Sequence, residues 1–222
     1  MLLRQPRTVL VPQLTDLVAL LGIDLVLCAG ALRLFGGRRR AASVAKWGVA
    51  VCFVLLWFPA GAANLPLLGL VRGISSDLSI TLVTLACLDL CQRLQGFPAV
   101  ASQEKRRVYG VIAMAALLLY PMALGWGDWD TYRFGWGSWG LWTALLALSL
   151  FSWLKGWRLV PMLVGLSLLA WSAGLMESGN LWDYLLDPWL ALVSFFYCLK
   201  SGWRLLLTRF NQTGRSSGKF LH

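Results

Sequence analysis

The stretch NLPLLGLVRGISSDLSITLVTLACLD, residues 64–89, decides how this chain is read. It carries one basic residue, Arg72, then a Ser75-Ser76-Asp77 helix start, then an apolar run ending in Asp89. Apolar flanks around a lone arginine predict a loop on the non-cytoplasmic side of a membrane, joining two helices. Any polar site is expected beside this stretch.

Composition supports the membrane. The 222 residues are 58% hydrophobic and only 14% charged, with a mean hydropathy of +0.66. A soluble domain carries about 25% charged residues, and a core of this size cannot hide so much apolar surface. The expected fold is all-α: a polytopic transmembrane helical bundle with short loops and no separate soluble domain. The expected lipid partner is the bilayer itself. The net charge of +10 would point to nucleic acid in a soluble protein. Here the bases fall in short clusters between apolar runs, so topology explains them and nucleic-acid binding is not expected.

A membrane crossing needs about 17–25 largely apolar residues. Seven spans are predicted, at about 14–35, 46–63, 77–94, 109–124, 138–154, 159–175 and 181–200, followed by a basic tail over 201–222. If the first segment only dips into the membrane, six remain. Arg4 and Arg7 ahead of an apolar run, with Ala29-Gly30-Ala31, resemble a signal peptide. Asp24 interrupts that run, and a retained helix is expected instead.

Most basic residues gather on one side. Arg33, Arg38, Arg39, Arg40 and Lys46 flank the first connection; Arg93, Lys105, Arg106 and Arg107 flank the third. Lys155 and Arg158 form the fifth, and Lys200, Arg204, Arg209, Arg215 and Lys219 follow the last span. The positive-inside bias then places the N-terminus outside and the C-terminus in the cytoplasm of a bacterial-type inner membrane. Asn211-Gln212-Thr213 matches a glycosylation pattern, but on the cytoplasmic side it would go unused.

The candidate site residues are Asp24, Arg72, Asp77, Asp183 and Asp187. Asp24 follows Leu14 by ten residues, which puts it about 15 Å deep at the helical rise. A carboxylate there is expected to be protonated, or to serve a proton or ligand site facing a polar cavity. Asp183 and Asp187 are four apart at the start of the seventh span, so both are expected on one helix face. An Arg72–Asp187 contact is predicted, with Asp183 or Asp77 as second acceptor, making an acidic pocket for a head group or sugar. Asp89 and Arg93, also four apart, predict a local ion pair. Residues 125–140, GWGDWDTYRFGWGSWG, read as an interfacial aromatic belt.

Absences narrow the chemistry. The only histidine is His222, so no histidine-based metal, haem or catalytic pair is expected in the spans. Cys28, Cys52, Cys87, Cys91 and Cys198 fall inside apolar runs and read as packing residues. No catalytic residue, cofactor or metal is expected, and the sequence leans away from an enzyme. The expected role is a non-enzymatic accessory or scaffolding subunit of an envelope or lipid-linked process, bound to a membrane-protein partner. The alternative is a small transporter or lipid-handling protein using Asp24 and an Arg72–Asp183–Asp187 site.

Overall fold

The computed structural model describes residues 14–35, 42–60 and 65–217. The fold is all-α, interrupted by one two-residue antiparallel ladder. In chain order the helices are α1 (Leu14–Phe35), α2 (Ala42–Leu56), α3 (Leu67–Ser75), α4 (Ile80–Leu94), α5 (Ser102–Ala123), α6 (Trp139–Leu154), α7 (Leu159–Ser172), α8 (Leu181–Leu185) and α9 (Pro188–Ser217). A short 3-10 helix, Tyr132–Trp136, lies between α5 and α6. Arg4, Arg7 and the Arg38–Arg40 cluster lie outside the described residues.

Two helical stretches among the described residues, Leu14–Leu34 and Ser102–Ala123, are long and apolar enough to cross a membrane by themselves. Shorter apolar stretches cover Lys46–Leu56, Trp139–Leu154 and Leu159–Ser172. α1 is helical throughout the first predicted span, Leu14–Phe35. The span expected over 46–63 does not run through: helix ends at Leu56, and Pro59–Ala60 pairs with Leu65–Pro66. Pro59 has no amide to donate and disfavours helical backbone at Phe58 before it, so the helix cannot continue. The predicted loop around Arg72 is instead the helix α3. The cap of α4 is Ser79, whose Oγ accepts from the Leu82 amide, rather than the earlier Ser-Ser-Asp.

The seventh span is also broken. Leu186 is extended (φ −148°, ψ 135°) between α8 and α9. Asp187 accepts from the Leu190 amide at 2.7 Å and Pro188 occupies the first helical position, so α9 starts afresh there. Asp183 and Asp187 therefore sit on two helices and do not share a face.

Packing follows from helical periodicity. Val108, Ile112, Ala116 and Leu119 on α5 meet Leu159, Val160 and Leu163 on α7 and Leu190 and Ala191 on α9. Spacings of three and four put the α5 set on one stripe. Cys28, Ala29 and Leu32 of α1 meet Ala86 and Leu90 of α4. These two helices approach so closely that a Cβ on Gly22 would lie 3.0 Å from a Val83 methyl. Glu104 of α5 accepts from the Leu159 amide at 2.8 Å, capping α7 from a neighbouring helix. Many large apolar side chains face outward, including Leu117 and Leu118 on α5, Leu146 and Leu150 on α6, and Leu192, Phe196 and Leu199 on α9.

Candidate functional site

α3 ends in a sharp reversal. Ser76 takes φ 59°, ψ −166°, a conformation almost reserved for glycine that costs on the order of 1–3 kcal/mol. Its amide closes on the Arg72 carbonyl at 2.9 Å. The reversal brings Asp77 back to the arginine five residues before it. Arg72 Nε donates to Asp77 at 2.9 Å, Nη1 to Asp16 at 2.6 Å and Nη2 to Glu177 at 2.7 Å. One guanidinium thus ties α1, α3, the turn before α4 and the loop before α8. The hydrogen bond to Asp16 leads those to Asp77 and Glu177 in raising the Arg72 pKa further above its ordinary value.

Asp77 is therefore a partner of Arg72, while the expected Arg72–Asp187 contact is absent and Asp183 is not a second acceptor. The reason lies in helix ends. Asp187, 5% exposed, accepts from the Ser79 amide at 3.0 Å, the Ser79 hydroxyl at 2.5 Å and the Leu190 amide at 2.7 Å. The N-termini of α4 and α9 both converge on this carboxylate, and their donors occupy both of its oxygens. It needs no arginine. The Asp187-Pro188 pair, a cap residue followed by the favoured first helical residue, was the sequence signal for this start.

Asp183 has different partners. The Tyr132 hydroxyl donates to it at 2.9 Å and the Ser178 hydroxyl at 2.5 Å. Burial first, and then the hydrogen bond to Asp183, push the Tyr132 phenol up to about 12. Tyr132 is held by the docking of its 3-10 helix onto residues 178–182. Asn180 donates to the Tyr132 carbonyl at 3.0 Å and Trp182 Nε1 to the Thr131 carbonyl at 3.1 Å. Gly135 is required there, because a Cβ would stand 1.7 Å from Asn180 Oδ1. This docking fixes one part of the tryptophan-rich loop, yet Trp126, Trp129, Trp136 and Trp139 all remain exposed.

These segments enclose a cavity of about 720 Å³ at the Arg72 end of the bundle. Asp77, Glu177, Asp183 and Asp187 line it, with Ser75, Ser76, Ser178, Tyr120 and Tyr132 and an apolar edge of Leu119, Leu186 and Pro188. No lysine or arginine among the described residues lines it. Arg72 is bonded to two of the lining carboxylates but is not itself part of the wall, so it does not close the pocket as the sequence suggested. A wall of carboxylates and hydroxyls accepts hydrogen bonds, which suits ammonium or hydroxyl donors and disfavours a phosphate.

Asp24 stands apart from this cavity. It is fully buried, accepting from Trp57 Nε1 at 2.7 Å and from the Cys28 thiol at 3.4 Å. The indole comes from the chain just after α2, and the thiol from the next turn of α1. At the opposite end, Asp89 pairs with Arg93 at 3.1 Å, and also with Arg33 of α1 at 2.8 Å, which sequence spacing could not reveal. Among the described residues no group of three or more His, Cys, Asp or Glu side chains is placed to hold a metal ion. No family model matches the chain, and no curated protein or solved structure does.

Proposed function

We propose that this chain is a polytopic inner-membrane protein of about seven crossings, a non-enzymatic accessory of a lipid-linked or envelope process. Its acidic cavity would receive the hydroxyl- or ammonium-bearing head group of a lipid. In this reading α1, α4, α5, α6, α7 and the α8–α9 pair cross the bilayer, and α2 with its hairpin makes a broken crossing. The N-terminus is outside and the C-terminus cytoplasmic. The outward-facing leucines and phenylalanines favour lipid contact, because soluble surfaces rarely expose contiguous apolar patches beyond a few hundred Å². Broken helices with irregular backbone are tolerated at membrane depth where they are buried in protein or line a cavity.

The observation that carries the function is the cavity of about 720 Å³ with four carboxylates and no described basic residue in its wall. The strained Ser76 in that wall adds support, since such conformations gather at ligand clamps. The alternative, a small transporter using Asp24 with Arg72, Asp183 and Asp187, has less behind it. Asp24 is sealed by Trp57 and Cys28 and does not line the acidic cavity.

The test is thermal stability of the purified chain in nanodiscs of phosphatidylcholine alone, or with added diglycosyl diacylglycerol or phosphatidylethanolamine. At least one added lipid should raise the Tm of the wild type, and Asp183→Asn should abolish that rise. No rise with either lipid, or a rise retained in Asp183→Asn, overturns the cavity as a head-group site. Phosphatase activity of a fusion at His222 would overturn the orientation.

A further inference from the structure

At the other end of the bundle lies a second cavity of about 390 Å³, bounded by α4, α5 and α9 and the last turn of α1. We infer that it binds the phosphate of an anionic phospholipid, with the guanidinium groups of Arg33 and Arg93 as the central anion hooks and Lys105 and Lys200 at the wall. The inference rests on the bilayer placement proposed above but not on the ligand of the acidic cavity.

Three observations carry it. First, charge: Arg33, Arg93, Lys105 and Lys200 line this cavity against a single carboxylate, Asp89. One negative charge offsets one of four positive ones, and like charges gathered in a partly enclosed site favour an added anion. Second, geometry: both arginines donate to the same oxygen, Asp89 Oδ2, and both do so through Nε, at 2.8 Å and 3.1 Å. A guanidinium held by Nε leaves terminal amino groups for a further acceptor, the fork that suits phosphate oxygens, although Arg33 also has the Tyr109 hydroxyl as a hydrogen-bond partner. Asp89, with a side chain only 8% exposed, thus pre-positions two half-exposed arginines, at 45% and 43%. Ordering them in advance removes entropy that binding would otherwise lose.

Third, the rest of the wall is largely apolar. Leu85, Leu88, Val193 and Phe196 line it, and Val193 and Phe196 continue onto the outward apolar face of α9 with Leu192 and Leu199. A free phosphate gains nothing from such a wall, whereas an acyl chain lies along it. Basic pockets between membrane helices on the cytoplasmic side are suited to anionic head groups on these grounds.

The experiment measures the Tm of the full chain in a neutral detergent against short-chain phosphatidylglycerol, short-chain phosphatidylcholine and inorganic phosphate. Phosphatidylglycerol should stabilise at concentrations where phosphatidylcholine does not, and added salt should weaken the effect. Each lysine removed should weaken the apparent affinity about fivefold, so Lys105→Ala with Lys200→Ala should weaken it by an order of magnitude or more. Both lysines are absent from the Asp89 ion pairs, so the double variant should match the wild-type Tm without added lipid. Arg33→Lys, which keeps the charge but loses the fork, should also bind more weakly. Asp183→Asn, in the other cavity, should bind phosphatidylglycerol as the wild type does. Equal stabilisation by the two lipids, or unchanged affinity in both the lysine double variant and Arg33→Lys, overturns the site. An equal effect from inorganic phosphate alone overturns the lipid and leaves a soluble-anion site.

Discussion

The two ends of the molecule use the same ion-pair chemistry with the signs exchanged. At one end a single arginine, Arg72, holds three carboxylates; at the other a single carboxylate, Asp89, holds two arginines. Asp89, at 8% side-chain exposure, is far better buried than its two arginines, whereas Arg72, at 21%, lies between Asp77 at 13% and the more exposed Asp16 and Glu177. Arg33 and Arg93 line one cavity, and Asp77 and Glu177 line the other. The lesson is that a lone central ion does two jobs: it ties helices together, and it orders an excess of opposite charge for use elsewhere.

The most direct way to break this comparison is to remove the central arginine. Arg72→Ala leaves the part-buried Asp77 without its arginine and unties α1, α3 and the α8 loop. The expected cost is about 3 kcal/mol, discounted from the full buried-pair value because Glu177 is largely exposed. Arg93→Ala should cost only about 1 kcal/mol, since Asp89 keeps Arg33. Chemical unfolding in detergent would compare them, and equal losses would undo the proposed asymmetry.

Asp187 sharpens the comparison, because it is a buried acid that belongs to neither ion cluster. Asp187→Ala strips a cap from α9 and leaves the Ser79 donors unsatisfied, for about 2 kcal/mol. In a double-mutant cycle its effect should add to that of Arg72→Ala within about 0.5 kcal/mol. A cycle of Arg72→Ala with Asp77→Ala should show clear coupling. Coupling between Arg72 and Asp187 would mean that the acidic end works as one network.

Smaller effects concern the acidic wall itself. Ser76→Gly should stabilise by about 1 kcal/mol, by relieving a backbone that serine tolerates poorly. A destabilised variant would show that the Ser76 side chain supplies more than its strain costs. The smallest expected effect is in pH. The Tyr132 phenol, whose ordinary pKa is about 10, is pushed up to about 12 in the fold. The folded state therefore keeps a proton that the unfolded state releases. The stability from this group is fully present below about pH 10 and is lost as pH rises through about 12. Tyr132→Phe should flatten that part of the stability–pH curve, and an unchanged slope would remove Tyr132 from the wall's electrostatics.

How much of this was legible beforehand varies by residue. The all-α fold, the helix over residues 14–35 and the Asp89–Arg93 pair follow from local patterns, where apolar runs and i, i+4 spacing act within one helix. Asp77, Asp183 and Asp187 line one cavity. Their partners were not legible. Asp16, Glu177 and Arg33 lie between 56 and 105 residues from the groups they bind, and no periodicity spans such distances. The break at Leu186 was signalled by Asp187-Pro188, which the long apolar run around it obscured.

The sequence by itself determined that the chain is helical, that more than half of its residues are hydrophobic, and where its charges crowd. Those properties come from side-chain chemistry and from hydrogen bonds made a few residues apart. Only the tertiary structure decided which acid each base would meet. Arg72 could satisfy a carboxylate at Asp77, Asp183 or Asp187 with equal chemistry. The choice fell to geometry: two helix starts converge on Asp187 and take up its oxygens with hydrogen bonds, Tyr132 and Ser178 occupy Asp183, and the Ser76 reversal delivers Asp77 to the guanidinium.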